Sequence, residues 1–343
     1  MIVATDTSLG AQLIWDAGTN TATAAASGNW DTTAANTVWY TGAADVAWTQ
    51  TSTTAPLNGA TFNGPDAALG TYMVSVDAGQ VAVTNLAINN SGYTFSGANA
   101  IYVGANDTLS LAANKTVTFN CNLAGSGTSP FWTLGSGATM NVGGNITSGQ
   151  QVRLAGAAGS AFNLTGTNAP SIMFVLGSVN VTSGSLIPSA SFYIGYPFPG
   201  TINGVPYTSG TLTVSGSSTV TVNGNVFIIG RSGGSGALTI GNGGAVNVGI
   251  GSTARALAIV YDGNAADSGT VNVYGGTLTV GSPSLTASTS AIDFFDTGEA
   301  AGATATMIQT NGVVFAWGGI LFGAASGTAG SATLINSGGT LYL

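Results

Sequence analysis

Between Gly210 and Gly281 the chain is a succession of short segments of one kind. Gly210-Thr-Leu-Thr-Val214, Ser218-Thr-Val-Thr-Val222, Gly236-Ala-Leu-Thr-Ile240, Gly244-Ala-Val-Asn-Val248, Gly269-Thr-Val-Asn-Val273 and Gly276-Thr-Leu-Thr-Val280 place bulky apolar residues two apart, with Thr, Asn or Ala between them. That is the period of a strand with one buried face, and no helical period fits it. The segments also recur in groups of three. Leu212 returns as Leu238 and Val271, Val220 as Val246 and Leu278, and Phe227 as Leu257 and Ile292, after roughly 26 to 35 residues. Three strands and three turns per coil predict an all-β parallel β-helix, in which each strand lies on its counterpart in the next coil.

The rest of the composition leaves little room for another fold. Surface helices need Glu, Lys and Arg on their wet faces, yet only 5% of the 343 residues are charged and four are basic (Lys115, Arg153, Arg231, Arg255). A polar surface of Thr, Ser and Asn suits strands and turns. An apolar fraction of 44% separates the chain from a disordered linker. The longest apolar run, Val313-Val-Phe-Ala-Trp-Gly-Gly-Ile-Leu-Phe-Gly323, is shorter than the roughly 20 residues of a membrane-spanning helix, and reads as two strands with no membrane insertion. A net charge of -8 with four cations argues against a nucleic-acid partner. Cys121 is alone, so it reads as a small core residue. Met1-Ile-Val-Ala-Thr-Asp-Thr-Ser8 lacks the basic and long apolar stretches of a secretory signal.

Residues 1–65 differ from residues 66–343, which read as the solenoid. Trp15, Trp30, Trp39 and Trp48 stand in the first segment, with Asp16, Asp31 and Asp45 nearby. A solenoid exposes a raw end, so a terminal unit of distinct composition reads as its cap; an aromatic carbohydrate-binding platform is the alternative. Gly28-Asn-Trp-Asp-Thr-Thr-Ala-Ala-Asn-Thr-Val-Trp39, Gly59-Ala-Thr-Phe-Asn-Gly64, Val74-Ser-Val-Asp-Ala-Gly-Gln-Val-Ala-Val83, Asn85-Leu-Ala-Ile88 and Gly92-Tyr-Thr-Phe-Ser-Gly97 together resemble the N-terminal region of proteins carrying autotransporter-associated β-strand repeats. The resemblance covers about the first 100 residues. It implies a bacterial surface passenger with a right-handed parallel β-helix. The signal peptide and translocating barrel of a full autotransporter have no counterpart here, which leaves open a fold-level analogy with phage fibres, tailspikes and capsid-decorating proteins.

From Tyr72 to Ile194 shorter strand words continue, separated by Gly, Asn and Ser. Ile194-Gly-Tyr-Pro-Phe-Pro-Gly-Thr-Ile-Asn-Gly-Val-Pro-Tyr207 interrupts them with three prolines, which predicts a protruding loop near residues 195–207. Its Tyr196, Phe198 and Tyr207 form a candidate contact surface for protein or glycan, with an irregular connection as the alternative. Beyond Gly281 the spacing carries Leu278 to Val313 and Leu341, and Ile292 to Ile320.

Catalytic patterns are mostly excluded. With no histidine there is no Ser-His or Cys-His pair and no typical zinc ligand set. Lys115 lacks the glycine of a phosphate loop, and Gly249-Ile-Gly-Ser-Thr-Ala254 leads into a strand rather than a helix. Glycoside cleavage needs paired carboxylates, yet no Asp or Glu lies between Asp107 and Asp262. In Asp293-Phe-Phe-Asp-Thr-Gly-Glu299 strand alternation puts the two aspartates on opposite faces, so turn carboxylates or a weak calcium site fit better. Neither a cofactor nor a catalytic residue is expected. The sequence thus leads to a structural protein: a virion surface component such as a capsid decoration, cement or fibre, trimeric by analogy. The alternatives are a bacterial surface adhesin or passenger, and a tailspike-like protein that binds or degrades polysaccharide.

Overall fold

The computed structural model describes residues 11–17, 21–23, 25–51, 58–77, 79, 81–125, 130–197, 207–223, 226–249, 257–261, 264–283, 292–295, 302–322 and 330–343. Among these there is no helix. The strands wind into a parallel β-solenoid with three faces. One repeating coil runs Ser209–Val214 on face I, Thr219–Val222 on face II and Val226–Ile229 on face III, and the next runs Ser235–Ile240, Ala245–Val248 and Leu257–Ala258. Each strand pairs in parallel with its counterpart one coil on. Face I is a sheet of twelve strands from Gly28–Asn29 to Ser331–Asn336.

The register joins Leu212 to Leu238 and Val271, Val220 to Val246 and Leu278, and Phe227 to Leu257 and Ile292. Ile292 also meets Ile320, as the spacing predicts. One expected pairing is off by a residue. Leu278 pairs with Val314, not Val313, and Val314 then pairs with Leu341. A slip of one reverses the face. Val314 is therefore buried and Val313 points outward.

Coil length changes along the chain. Asn163 lies 22 residues from Asn141, and Asn180 only 17 from Asn163, in neighbouring coils. Here face II and face III share single bent strands, such as Val81–Ile88, Ala100–Leu111 and Thr167–Leu176, so no residues are spent on a loop. Later coils insert residues between those faces. Thr239 and its partner Asn272 stand 33 residues apart.

The core is the set of inward rows. Along face II it runs Ile101, Leu123, Ile146, Asn168, Leu186, Val220, Val246, Leu278 and Val314, all buried. The row's one polar member, Asn168, is fully satisfied: its Oδ1 accepts from Ile146 N at 3.0 Å and its Nδ2 donates to Gly166 O at 3.0 Å. Stacked rings follow the strand spacing, with Phe95 on Phe119 at 4.7 Å and Phe192 on Phe227 at 4.9 Å. Outside, hydrogen-bonded amides climb face I: Asn163 Nδ2 donates to Asn141 Oδ1 and Asn180 Nδ2 to Asn163 Oδ1, both at 2.9 Å.

Glycine has a second use besides turns. Gly210, Gly236 and Gly269 form an inward column in face I. The backbone of face III crosses so close to it that a Cβ on Gly269 would lie 1.8 Å from Ile259 O and 2.5 Å from Ile229 O. Gly269→Ala should therefore cost about 1–3 kcal/mol or more by overpacking. Chemical denaturation would read this as a lower midpoint with an unchanged slope.

The N-terminal end is built differently. Gln12–Trp15 pairs in parallel with Gly59–Phe62, and on its other side antiparallel with Trp39–Tyr40, which pairs antiparallel with Asp45–Val46. This hairpin covers the first edge of face III. Trp15, Trp30, Trp39 and Trp48 lie beneath it, all 0% exposed, with Trp39 centred 5.2, 4.9 and 4.7 Å from the other three. Rings buried in this way offer no exposed platform to a sugar. The nearby aspartates hold turns: Asp16 Oδ2 accepts from Thr21 N at 2.9 Å and Asp31 Oδ1 from Thr33 N at 2.8 Å.

Candidate functional site: an arginine and aromatic row with an adjoining groove

On face III the outward positions form one row through successive coils. Thr108, Phe131, Arg153, Phe174 and Tyr193 are direct ladder partners. The Arg153 guanidinium lies 4.4 Å from the Phe131 ring centre and 5.6 Å from that of Phe174, and its Nη2 donates to Gln151 Oε1 at 3.1 Å. Burial lowers the Arg153 pKa to about 10, so it remains a cation at neutral pH. Arg231 sits among three tyrosines, 4.7 Å from Tyr196, 4.7 Å from Tyr261 and 5.9 Å from Tyr193. Each such contact contributes about 0.5–2 kcal/mol, more as it is desolvated. Lys115 instead pairs with Asp66 at 2.5 Å. Arg255 lies outside the described residues.

The Pro-rich segment meets this row. Tyr196 is half-buried, its ring 5.7 Å from Phe174 and 5.5 Å from Tyr193. Tyr207, at the other end, lines two adjoining grooves of about 390 and 360 Å³. The first also takes Ser160, Ser178 and Thr211, and the second Asn89, Ser110 and Thr133; Ala157 and Tyr207 belong to both. Burial raises the Tyr207 pKa. Tyr196 thus lies back on the coils, held by aromatic and cationic neighbours, while residues 198–206 of the expected loop lie outside the described residues. Phe198 lies outside the described residues.

Sequence reading missed Phe131, Arg153, Phe174, Tyr193, Arg231 and Tyr261. A signal existed: Phe131-Trp132, Val152-Arg153-Leu154, Met173-Phe174-Val175 and Phe192-Tyr193-Ile194 break alternation with a large residue on the side that elsewhere carries Thr or Asn. What could not be read was that these positions stack.

The described carboxylates between residues 262 and 299 hold backbone. Asp267 is buried and its Oδ1 accepts from Gly233 N at 2.5 Å, its Oδ2 from Asn264 N at 3.3 Å. Asp293 Oδ1 accepts from Phe295 N at 3.1 Å. Asp262, Asp296 and Glu299 lie outside the described residues, as do residues 250–254. Among the described residues no three His, Cys, Asp or Glu side chains gather as a metal site. Burial pushes the Cys121 thiol up to about 12, which disfavours the reactive thiolate.

Asp107 stands where Ala100–Leu111 bends from face II to face III, and burial raises its pKa from 3.8 to about 6. The folded state therefore holds this proton more tightly than the unfolded chain does. Its contribution is greatest below about pH 4 and is lost as pH rises towards 6. Asp107→Asn should raise the melting temperature at pH 7 and flatten its decline between pH 4 and 6. Partial exposure tempers the size of the effect. No family model matches the chain, and the searches of curated proteins and of solved structures found no match.

Proposed function

We propose that this chain is a non-catalytic structural solenoid of a virion surface, a decoration, cement or fibre component that assembles through protein contacts. The observation that carries this reading is the unbroken inward stack, which makes the chain a rigid scaffold, while the described carboxylates Asp16, Asp31, Asp267 and Asp293 hold turns. The arginine and aromatic row adds a stiff contact surface. Sedimentation of the purified chain tests the reading. An elongated oligomer, trimeric by analogy with such fibres, is expected, and a compact particle with a low frictional ratio overturns the scaffold.

A second reading is the passenger of a bacterial surface protein, acting as an adhesin or matrix component. The words from Gly28 to Gly97 favour it. An elongated monomer with affinity for cell-surface glycans would move the assignment there.

A further inference from the structure

The outer surface changes character in one step, at the same coil on faces I and II. On face I the outward row runs Thr213, Thr239, Asn272 and then Ile308 and Ile335. On face II it runs Thr221, Asn247, Thr279 and then Phe315 and Tyr342. On face III the outward row is already apolar at Ile228 and Ala258 and passes through Asp293 to Leu321. These side chains point away from the sheets, so another coil would cover only the side that faces it. Trp317 is 41% exposed, Ile335 46% and Tyr342 50%. Five exposed or half-exposed apolar residues, Ile308, Val313, Phe315, Ile335 and Tyr342, flank the corner between faces I and II, and Trp317 extends the patch to the far end of face II. Residues 300 to 343 include no Asp, Glu, Lys, Arg or His.

We propose that this corner is where a second copy of the chain docks, an inference that rests on the scaffold reading above. The ring geometry argues against a sugar. Phe315 stacks on Tyr342 at 4.7 Å and 7° and lies parallel to Trp317 at 5.8 Å and 7°, so neighbouring faces meet each other and edges point outward. Sugars stack on ring faces. An anionic lipid surface would need cations, and the corner has none on a chain of net charge -8.

Among proteins, the lack of any charge favours a copy. Contacts between different proteins keep charged groups for steering and partner choice, whereas contacts between identical chains are more apolar. Apolar rows on two adjoining faces let one face of a copy meet the other face of its neighbour, the contact that closes rings.

The test restores the residue types of the preceding coils at three outward positions, as Ile308→Asn, Phe315→Thr and Tyr342→Thr together. Sedimentation velocity on the full chain, from about 0.1 to 100 μM, should show wild type self-associating and the triple variant at least about tenfold weaker. Its circular dichroism and melting temperature should stay close to wild type, and if they do not, the outward single variant Trp317→Thr repeats the comparison. A wild type that stays monomeric throughout overturns the proposal, as does a folded variant that associates equally well. Flotation of monomeric wild type with phosphatidylcholine vesicles would assign the corner to lipid and overturn it too. An elongated monomer refutes only the docking of a copy, whereas a low frictional ratio refutes the scaffold.

Discussion

Val246→Asp is expected to abolish the folded state. Val246 is 0% exposed and stands in the face II row with Val220 in the coil before and Leu278 in the coil after. A carboxylate there is surrounded by aliphatic side chains, and an uncompensated buried charge costs at least about 3–5 kcal/mol. That is comparable to the whole stability of many domains. The neighbouring Asn247→Asp makes the control, since Asn247 points outward and the change should fall within about 0.5 kcal/mol. Circular dichroism with limited proteolysis would read both. A Val246→Asp protein that melted with wild type would mean that the inward row is wrongly assigned.

Trp39→Ala should cost about 3–5 kcal/mol, because a large ring packed on every side leaves a cavity that its neighbours fill only in part. Its ring contacts Trp15, Trp30, Trp48 and Phe62, so four aromatics lose a partner together. In a solenoid each coil leans on its neighbours, so the damage should be graded along the chain. Hydrogen exchange should accelerate most between residues 58 and 125 and least between residues 209 and 280. Uniform acceleration would instead mean that the solenoid opens as a single unit.

The candidate site was far less legible than the coils. Tyr196 and Tyr207 were visible because prolines mark their segment, but their partners were not. Phe131, Arg153, Phe174 and Tyr193 are separated by about 20 residues each, and only the pairing of successive coils puts them in one row. Coil length varies in that stretch, so spacing alone does not predict which residues meet. The outward switch at Ile308 and Phe315 was hidden for a related reason. The run from Val313 to Phe322 is readable as two strands, but a misplacement of one residue reverses inside and outside.

The local choices follow from the sequence by itself. Alternating Val, Leu, Ile and Thr words dictate strands, the scarcity of charge disfavours surface helices, and recurrence in threes dictates a stacked coil, because period and composition act over a few residues. The absence of histidine closes the chemistry that needs an imidazole. Tertiary structure decided which word lies on which face, where glycine must yield space to crossing backbone, and which distant aromatics and arginines share a surface. Those depend on the register between coils, and register is set by the summed packing of a whole row rather than by any segment in it.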